Sequence, residues 1–110
     1  MATPFQEKVY SLLELIPPGK VTTYKEIAHY LGLTSYRAIG QALKANTHPE
    51  KISCYKVVAN DGKIGGYCGN SEKMILVKIN KLRKEGLVIE EGTAIEDSRI
   101  INFKKSLFQF

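Results

Sequence analysis

The chain has 110 residues, of which 44% are hydrophobic and 25% charged, a composition typical of one soluble globular domain. Sixteen Lys and Arg against eleven Asp and Glu give a formal net charge of +5, which favours polyanionic partners such as nucleic acid. The sequence contains neither an apolar run near the ~20 residues that cross a membrane nor an N-terminal export signal. We therefore expect an intracellular protein, without membrane contact.

Two cysteines and two histidines are the residues that would form a Cys/His zinc site. Without an export signal, Cys54 and Cys68 are expected to be reduced thiols. Neither belongs to a CxxC pair, and His29 and His48 are well separated and are assigned no catalytic role. We predict no metal site and no cofactor.

The first helix is predicted within residues 3–16, where apolar side chains recur at helical spacing. Thr3 is the expected N-cap and Pro4 the first helical residue, and a Pro-Pro-Gly sequence ends the helix.

Two shorter helices are predicted next. One follows Thr23, which has capping-box spacing to Glu26, and ends at Leu31-Gly32. The other covers about residues 35–45, with apolar and polar side chains on separate faces. Two short helices joined by a four-residue turn that contains Gly form a helix-turn-helix, an arrangement that often contacts DNA.

Residues 52–58 read I-S-C-Y-K-V-V, which is either a buried strand with an incidental thiol or a nucleophile at a strand end. The Gly, Asn and Asp that follow predict a loop with a tight turn at 60–62, between two short extended pieces. A fourth helix is predicted from Ser71 to about Lys84, with Gly86 just past its end. The sequences L-V-I-E-E-G-T-A-I and R-I-I-N-F that follow suggest a small C-terminal hairpin or appended strands.

Five segments occur in a distinctive order: I-P-P-G-K-V-T-T-Y, S-Y-R-A-I-G-Q-A-L-K-A-N, S-C-Y-K-V-V, G-G-Y-C-G and L-R-K-E-G. This series resembles the DNA-binding and active-site domain of the O6-alkylguanine-DNA alkyltransferases, also called methylated-DNA-protein-cysteine methyltransferases. The resemblance extends from about Phe5 to Gly86. It implies a mainly α (α+β) fold, a winged-helix-like helix-turn-helix domain with short strands or a hairpin. The family usually carries a further N-terminal domain, which we expect to be absent here, so that residues 1–110 form a single domain.

The resemblance also implies a reaction. In the family, the cysteine of a Pro-Cys-His-Arg-Val segment accepts an alkyl group from a guanine that has been flipped out of the duplex, which makes Cys54 the acceptor. A soft thiolate suits attack on an alkyl carbon, and the thioether formed is not readily hydrolysed. Base extrusion costs a few kcal/mol.

DNA contacts follow from the same resemblance. Arg37 is expected to enter the base stack, and Tyr24 to displace the phosphate 3′ of the target, while the recognition helix lies in the minor groove. Small residues on that helix permit close approach to DNA. The implied DNA-binding residues are Tyr24, Arg37, Ala38, Gly40, Lys44 and Lys56. The implied hinge and guanine-pocket residues are Asn46, Val57, Val58, Gly66, Tyr67 and Cys68.

The sequence departs from the family at the active site. In the family, the histidine and a bridging water take up the thiol proton, and a glutamate that matches Glu85 holds that histidine. Here Tyr55 replaces that histidine. The reference pKa of tyrosine is about 10, so its hydroxyl is protonated at neutral pH and is not a base comparable to histidine. Lys56 replaces the family arginine and Ser53 the proline. The predicted catalytic residues are Cys54, Tyr55 and Glu85.

Three functions are compatible with this sequence. The leading hypothesis is DNA repair by irreversible alkyl transfer from O6 of guanine to Cys54, by a monomer acting on double-stranded DNA that contains O6-alkylguanine. The second is lesion binding without transfer, as in the alkyltransferase-like proteins, which lack the acceptor cysteine. The third is a helix-turn-helix regulator. The expected location is the cytoplasm and nucleoid, or the nucleus of a eukaryote.

Overall fold

The structure, a computed structural model, describes residues 3–45, 52–65 and 72–110, and its ordered elements are mostly helical. The helices are α1 Pro4–Leu13, α2 Tyr24–Tyr30, α3 Tyr36–Lys44, α4 Glu72–Lys84 and α5 Phe103–Ser106. The short strands are β1 Thr22–Thr23, β2 Val57–Val58, β3 Ile89–Glu90 and β4 Arg99–Ile100, with 3-10 turns at Cys54–Lys56 and Ile95–Asp97. A helix-rich domain with short strands confirms the predicted fold class.

The predicted helix starts are confirmed by their caps. The Thr3 hydroxyl accepts from the Gln6 N–H and the Gln6 side chain accepts from the Thr3 N–H, which completes a capping box before Pro4. The Thr23 hydroxyl caps α2 by accepting from the Glu26 N–H, at 3.1 Å. A hydroxyl at each of these positions satisfies an N–H that has no partner inside the helix.

Two strand pairings connect the site-bearing segments. β1 pairs in parallel with β2, with Thr22 opposite Val57 and Thr23 opposite Val58. In this parallel register the start of α2 lies beside the residues that follow β2, where the Lys25 N–H donates to the Asn60 side chain, and Lys56 lies beside Val21 at the other end of the pair. Val21, the residue before β1, forms a parallel bridge with Leu107.

The C-terminal hairpin was predicted and is confirmed. β3 pairs antiparallel with β4, with Ile89 opposite Ile100 and Glu90 opposite Arg99. Its apolar residues Ile89 and Ile100 are buried together with the inner face of α4. No helix within the described ranges is both long and apolar enough to cross a membrane.

The helix-turn-helix packs around the cysteine. One core cluster joins α1, α2 and α3 to Cys54, and its buried members include Val9, Leu13, Ile27 and Ile39. The candidate nucleophile therefore lies in the wall of the helical core, where its surroundings are held by close packing.

Candidate active site

Cys54 lies directly before a strand and outside it. It is the first residue of the 3-10 turn Cys54–Lys56, which leads into β2, and only 8% of its surface is exposed. The turn is closed by the Lys56 N–H donating to the Ser53 carbonyl, at 3.1 Å. Cys54 therefore stands before the start of β2 and not within a strand.

Tyr24 and Tyr10 are electrostatic neighbours of Cys54. Burial, and then a negative charge at Cys54, raise the pKa of each phenol above its ordinary value of 10.0. Both hydroxyls therefore stay protonated at neutral pH and can donate hydrogen bonds. The Tyr10 hydroxyl donates to the Ala42 carbonyl, at 2.6 Å, and so ties α1 to the last turn of α3. Tyr24 was predicted at the site, whereas Tyr10 was missed, because its partner Ala42 is 32 positions away in the sequence.

Lys78 is another electrostatic neighbour of Cys54 and, like Tyr10, was not predicted from the sequence. Its side chain is 1% exposed, and its ammonium donates to the carbonyls of Val57 and Ile64, each at 2.6 Å. Burial lowers the pKa of Lys78 from 10.5 to about 7, while a negative charge at Cys54 acts in the opposite direction. The signal was present in the sequence, since Lys78 falls between Ile75 and Leu82 on the apolar face of α4.

Glu85 joins three segments of the chain. Its Oε1 accepts from the Lys56 ammonium at 2.6 Å and from the Gly19 N–H at 3.1 Å, and its Oε2 accepts from the Tyr55 hydroxyl. The Lys56 ammonium also donates to the Pro17 and Lys20 carbonyls, at 2.8 and 3.1 Å. The I-P-P-G-K turn, the cysteine segment and the end of α4 are therefore held by one polar cluster.

The same cluster holds Tyr55 and Lys56, the two residues after Cys54 that replace the family histidine and arginine. The Tyr55 hydroxyl donates a hydrogen bond to the Glu85 carboxylate, and the Lys81 ammonium lies over the Tyr55 ring, 5.4 Å from its centre. The side chain of Lys56 is only 5% exposed and its ammonium points into the protein. This placement argues against the phosphate contact that we expected for Lys56, because the ammonium is already bonded to a carboxylate and two carbonyls.

Most of the other implied DNA contacts lie together on α3. Arg37 and Lys44 are exposed at opposite ends of that helix, with Ala38 and Gly40 half-buried between them. A methyl group added at Gly40 would meet nothing within 4 Å, so the helix has open space there for a close partner.

Of the implied pocket residues, Val57 and Val58 are completely buried, which makes them core residues of the strand that follows the cysteine segment. Asn46, Gly66, Tyr67 and Cys68 lie outside the described residues.

The chain is similar to known proteins over most of its length. Residues 4–87 match the family model described as the DNA binding domain of 6-O-methylguanine DNA methyltransferase. A Methylated-DNA--protein-cysteine methyltransferase of Thermococcus kodakarensis is 43% identical over 84 residues, which are 74% of this chain and 47% of that protein. A bifunctional methyltransferase/endonuclease of Picrophilus torridus is 41% identical over 100 residues, 89% of this chain and 32% of that protein. This chain thus spans about half or less of the length of these two relatives.

Among solved structures, S. pombe Atl1 in complex with damaged DNA containing O6-carboxymethylguanine superposes with a TM-score of 0.81 at 28% identity. The superposition covers 99% of each chain, so it includes the C-terminal residues that lie beyond the family match.

Proposed function

The chain belongs to the 6-O-methylguanine DNA methyltransferase family, and from this premise we propose that it repairs DNA by moving an alkyl group from O6 of guanine to Cys54. The observation that carries the proposal is the position of Cys54 at the head of a turn, beside Tyr24 and Lys78 and in the wall of the helix-turn-helix. The proposed partner is double-stranded DNA that contains O6-alkylguanine.

The transfer step forms one bond and breaks one. The Cys54 thiolate attacks the alkyl carbon, an S–C bond forms, and the C–O bond at guanine O6 breaks with its electron pair passing to the base. Guanine leaves as a neutral base once it receives a proton. The proton that guanine takes up balances the one that Cys54 releases to solvent on forming the thiolate. The Tyr24 hydroxyl, whose raised pKa keeps it protonated and which interacts electrostatically with Cys54, can donate a hydrogen bond to the base as it leaves. Because the thioether is stable, each protein molecule acts once.

Activation of the thiol is proposed to depend on Lys78. A cation near a cysteine favours thiolate over thiol, and Cys54 and Lys78 interact electrostatically. A phenol is already protonated at neutral pH, so Tyr55, whose hydroxyl donates to Glu85, does not take up the thiol proton as a histidine would. The positive charge of Lys78 therefore takes over part of the work that the family assigns to histidine.

The protein incubated with duplex DNA containing O6-methylguanine is expected to gain the mass of one methyl group on the peptide that carries Cys54. Mass spectrometry of the digested protein measures this gain, which should reach one adduct per molecule and stop. Cys54→Ser is the control and should give no adduct while still binding the DNA. Absence of an adduct on the wild-type protein at equal amounts of DNA and protein would refute alkyl transfer.

Lesion binding without transfer is the second candidate function. It is favoured by the replacement of the family histidine by Tyr55, and by similarity over the whole chain to Atl1, whose structure holds DNA containing O6-carboxymethylguanine. This alternative predicts tight binding of lesion DNA and no adduct at Cys54. The adduct experiment therefore separates it from alkyl transfer.

Tyr55→His is expected to raise the rate of methyl transfer at pH 7 by about tenfold or more, because a positioned general base typically contributes 10²–10⁴-fold. A histidine at this position can donate to Glu85 Oε2 and accept the thiol proton with its other nitrogen. Single-turnover adduct formation measures the rate, and Tyr55→Phe is the control that removes the hydroxyl without adding a base. Equal rates for wild type and Tyr55→His would show that thiol activation does not pass through residue 55.

A further inference from the structure

The recognition helix α3 has few buried side chains of its own to hold it against the core. Of its nine residues, Ile39 and Ala42 are buried. Ala42 contributes a single methyl group, so Ile39 is the one large side chain of α3 that is completely buried. Packing of this kind fixes how far the helix lies from the core, but it is not directional and constrains rotation of the helix about its own axis only weakly.

Tyr10 supplies a further anchor for α3 from the first helix. Its ring packs against the core cluster that contains Cys54, Ile39 and Ala42. Its hydroxyl donates to the Ala42 carbonyl at 2.6 Å, across 32 positions of sequence. That carbonyl is one of the last four of α3, which have no N–H partner inside the helix, so Tyr10 supplies a donor where the helix ends. Because a hydrogen bond is directional, this contact constrains the rotation of α3.

Tyr10 lies near the candidate nucleophile as well as near α3. Burial, and then a negative charge at Cys54, raise the pKa of Tyr10, so the phenol is within electrostatic range of the thiol. At neutral pH the hydroxyl keeps its proton and the bond to Ala42 is maintained. One side chain therefore connects the surroundings of Cys54 to the last turn of the helix that carries Arg37 in its first turn.

We propose that Tyr10 is a positioning residue for alkyl transfer, which sets the orientation of α3 relative to Cys54 and acts through that helix. The proposal rests on the function proposed above. Arg37 is expected to enter the base stack, so a rotation of α3 would move the extruded nucleotide relative to the thiol. A misplacement of about 1 Å can cost about 100-fold in rate, because the reacting atoms must be close and aligned. Loss of the hydroxyl should therefore affect the rate of transfer in the bound complex more than the affinity for DNA.

Tyr10→Phe tests this role, because it keeps the ring and removes the hydroxyl. With a saturating amount of duplex DNA that contains O6-methylguanine, single-turnover methyl transfer is expected to slow about tenfold, while the dissociation constant changes less than about threefold. Fluorescence anisotropy measures the dissociation constant. Tyr30→Phe is the matched control, because Tyr30 is 58% exposed, and it should change neither quantity.

Alkylation of Cys54 by iodoacetamide separates positioning from a direct effect on the thiol. This small reagent reacts with the thiolate in the absence of DNA, so its rate does not depend on how α3 presents a nucleotide. Mass spectrometry of the peptide that carries Cys54 measures that rate, and Tyr10→Phe is expected to match wild type. A variant that failed to fold would react faster, because Cys54 is only 8% exposed in the folded protein.

Equal slowing of both reactions in Tyr10→Phe would overturn the proposal, because the hydroxyl would then act on the thiol itself. Faster reaction with iodoacetamide would overturn it too, because the variant would then have a loosened core and not a reoriented helix. If wild type forms no methyl adduct, the proposed function fails and the role of Tyr10 fails with it. If wild type forms the adduct and Tyr10→Phe forms it equally fast, only the role of Tyr10 fails.

Discussion

Glu85→Ala is expected to lower the free energy of unfolding by about 3–5 kcal/mol, the usual cost of removing one partner from a buried ion pair. The carboxylate accepts from Lys56, Gly19 and Tyr55, and the side chains of Lys56 and Glu85 are only 5% and 14% exposed. Without Glu85, the Lys56 ammonium stays buried with two carbonyls and no counter-charge. Urea unfolding followed by circular dichroism measures the loss.

Glu91→Ala is the matched control, because Glu91 also pairs with a cation but does so at the surface. Its carboxylate lies 3.7 Å from Arg83, and both side chains are about half exposed, at 54% and 42%. A pair of this kind contributes about 0–1 kcal/mol. If Glu85→Ala costs no more than Glu91→Ala, the polar cluster is not what holds the cysteine segment to the end of α4.

The pair can be tested further by removing both of its charges. Lys56→Met combined with Glu85→Ala should recover part of the stability lost in Glu85→Ala, since no charge is then left buried alone. Failure to recover would mean that the loss arises from the bonds to Gly19 and Tyr55. Failure to recover stability would also indicate that Glu85 acts mainly by stabilising the fold and not by transferring protons.

The helices could be predicted because their signals are local. Thr3, Thr23 and Ser35 each cap the helix that follows them, and Gly86 takes a φ of +97° just past α4. Such residues act on backbone groups only a few positions away, so no tertiary information is needed. The same holds for the tight turn near residue 62, where Gly62 has a φ of +91°.

The parallel pairing of β1 with β2 could not be predicted in this way. These strands have two residues each and lie more than 30 positions apart, so their partners are chosen by packing and not by an alternating pattern. α5 was missed for a related reason. The R-I-I-N-F sequence suggested a strand, but Asn102 adopts a left-handed φ of 59° and starts a helix.

The sequence predicted only part of the arrangement of the candidate site. Cys54 and Tyr24 lie in one core cluster, whereas Val57 and Val58, implied as pocket walls, are completely buried. Lys56 could not be placed, because the direction of a long side chain depends on acceptors contributed by residues that are distant in sequence. Here those acceptors are the Pro17 and Lys20 carbonyls and Glu85.

Lys78→Met is expected to slow methyl transfer to Cys54 by about tenfold or more, because it removes a positioned electrostatic group from a buried site. It is also expected to change how stability depends on pH. The pKa of Lys78 is about 7 in the folded protein and near 10.5 in an unfolded chain. Between these values the unfolded state binds more protons, so this lysine makes the free energy of unfolding rise with pH.

The sign of that dependence makes the prediction specific. Below pH 7 the lysine is protonated in both the folded and the unfolded state, so folding carries the full free-energy cost of burying its charge. At pH 9 the folded protein holds a neutral amine, and this cost is smaller. The free energy of unfolding of wild type minus that of Lys78→Met should therefore increase from pH 6 to pH 9 in urea titrations. Lys73→Met, an exposed change on the same helix, should show no such trend. A difference that stays constant with pH would mean that the Lys78 ammonium keeps its proton in the core, stabilised by the Val57 and Ile64 carbonyls. It would then act on Cys54 as a fixed charge and not as a group that exchanges its proton near neutral pH.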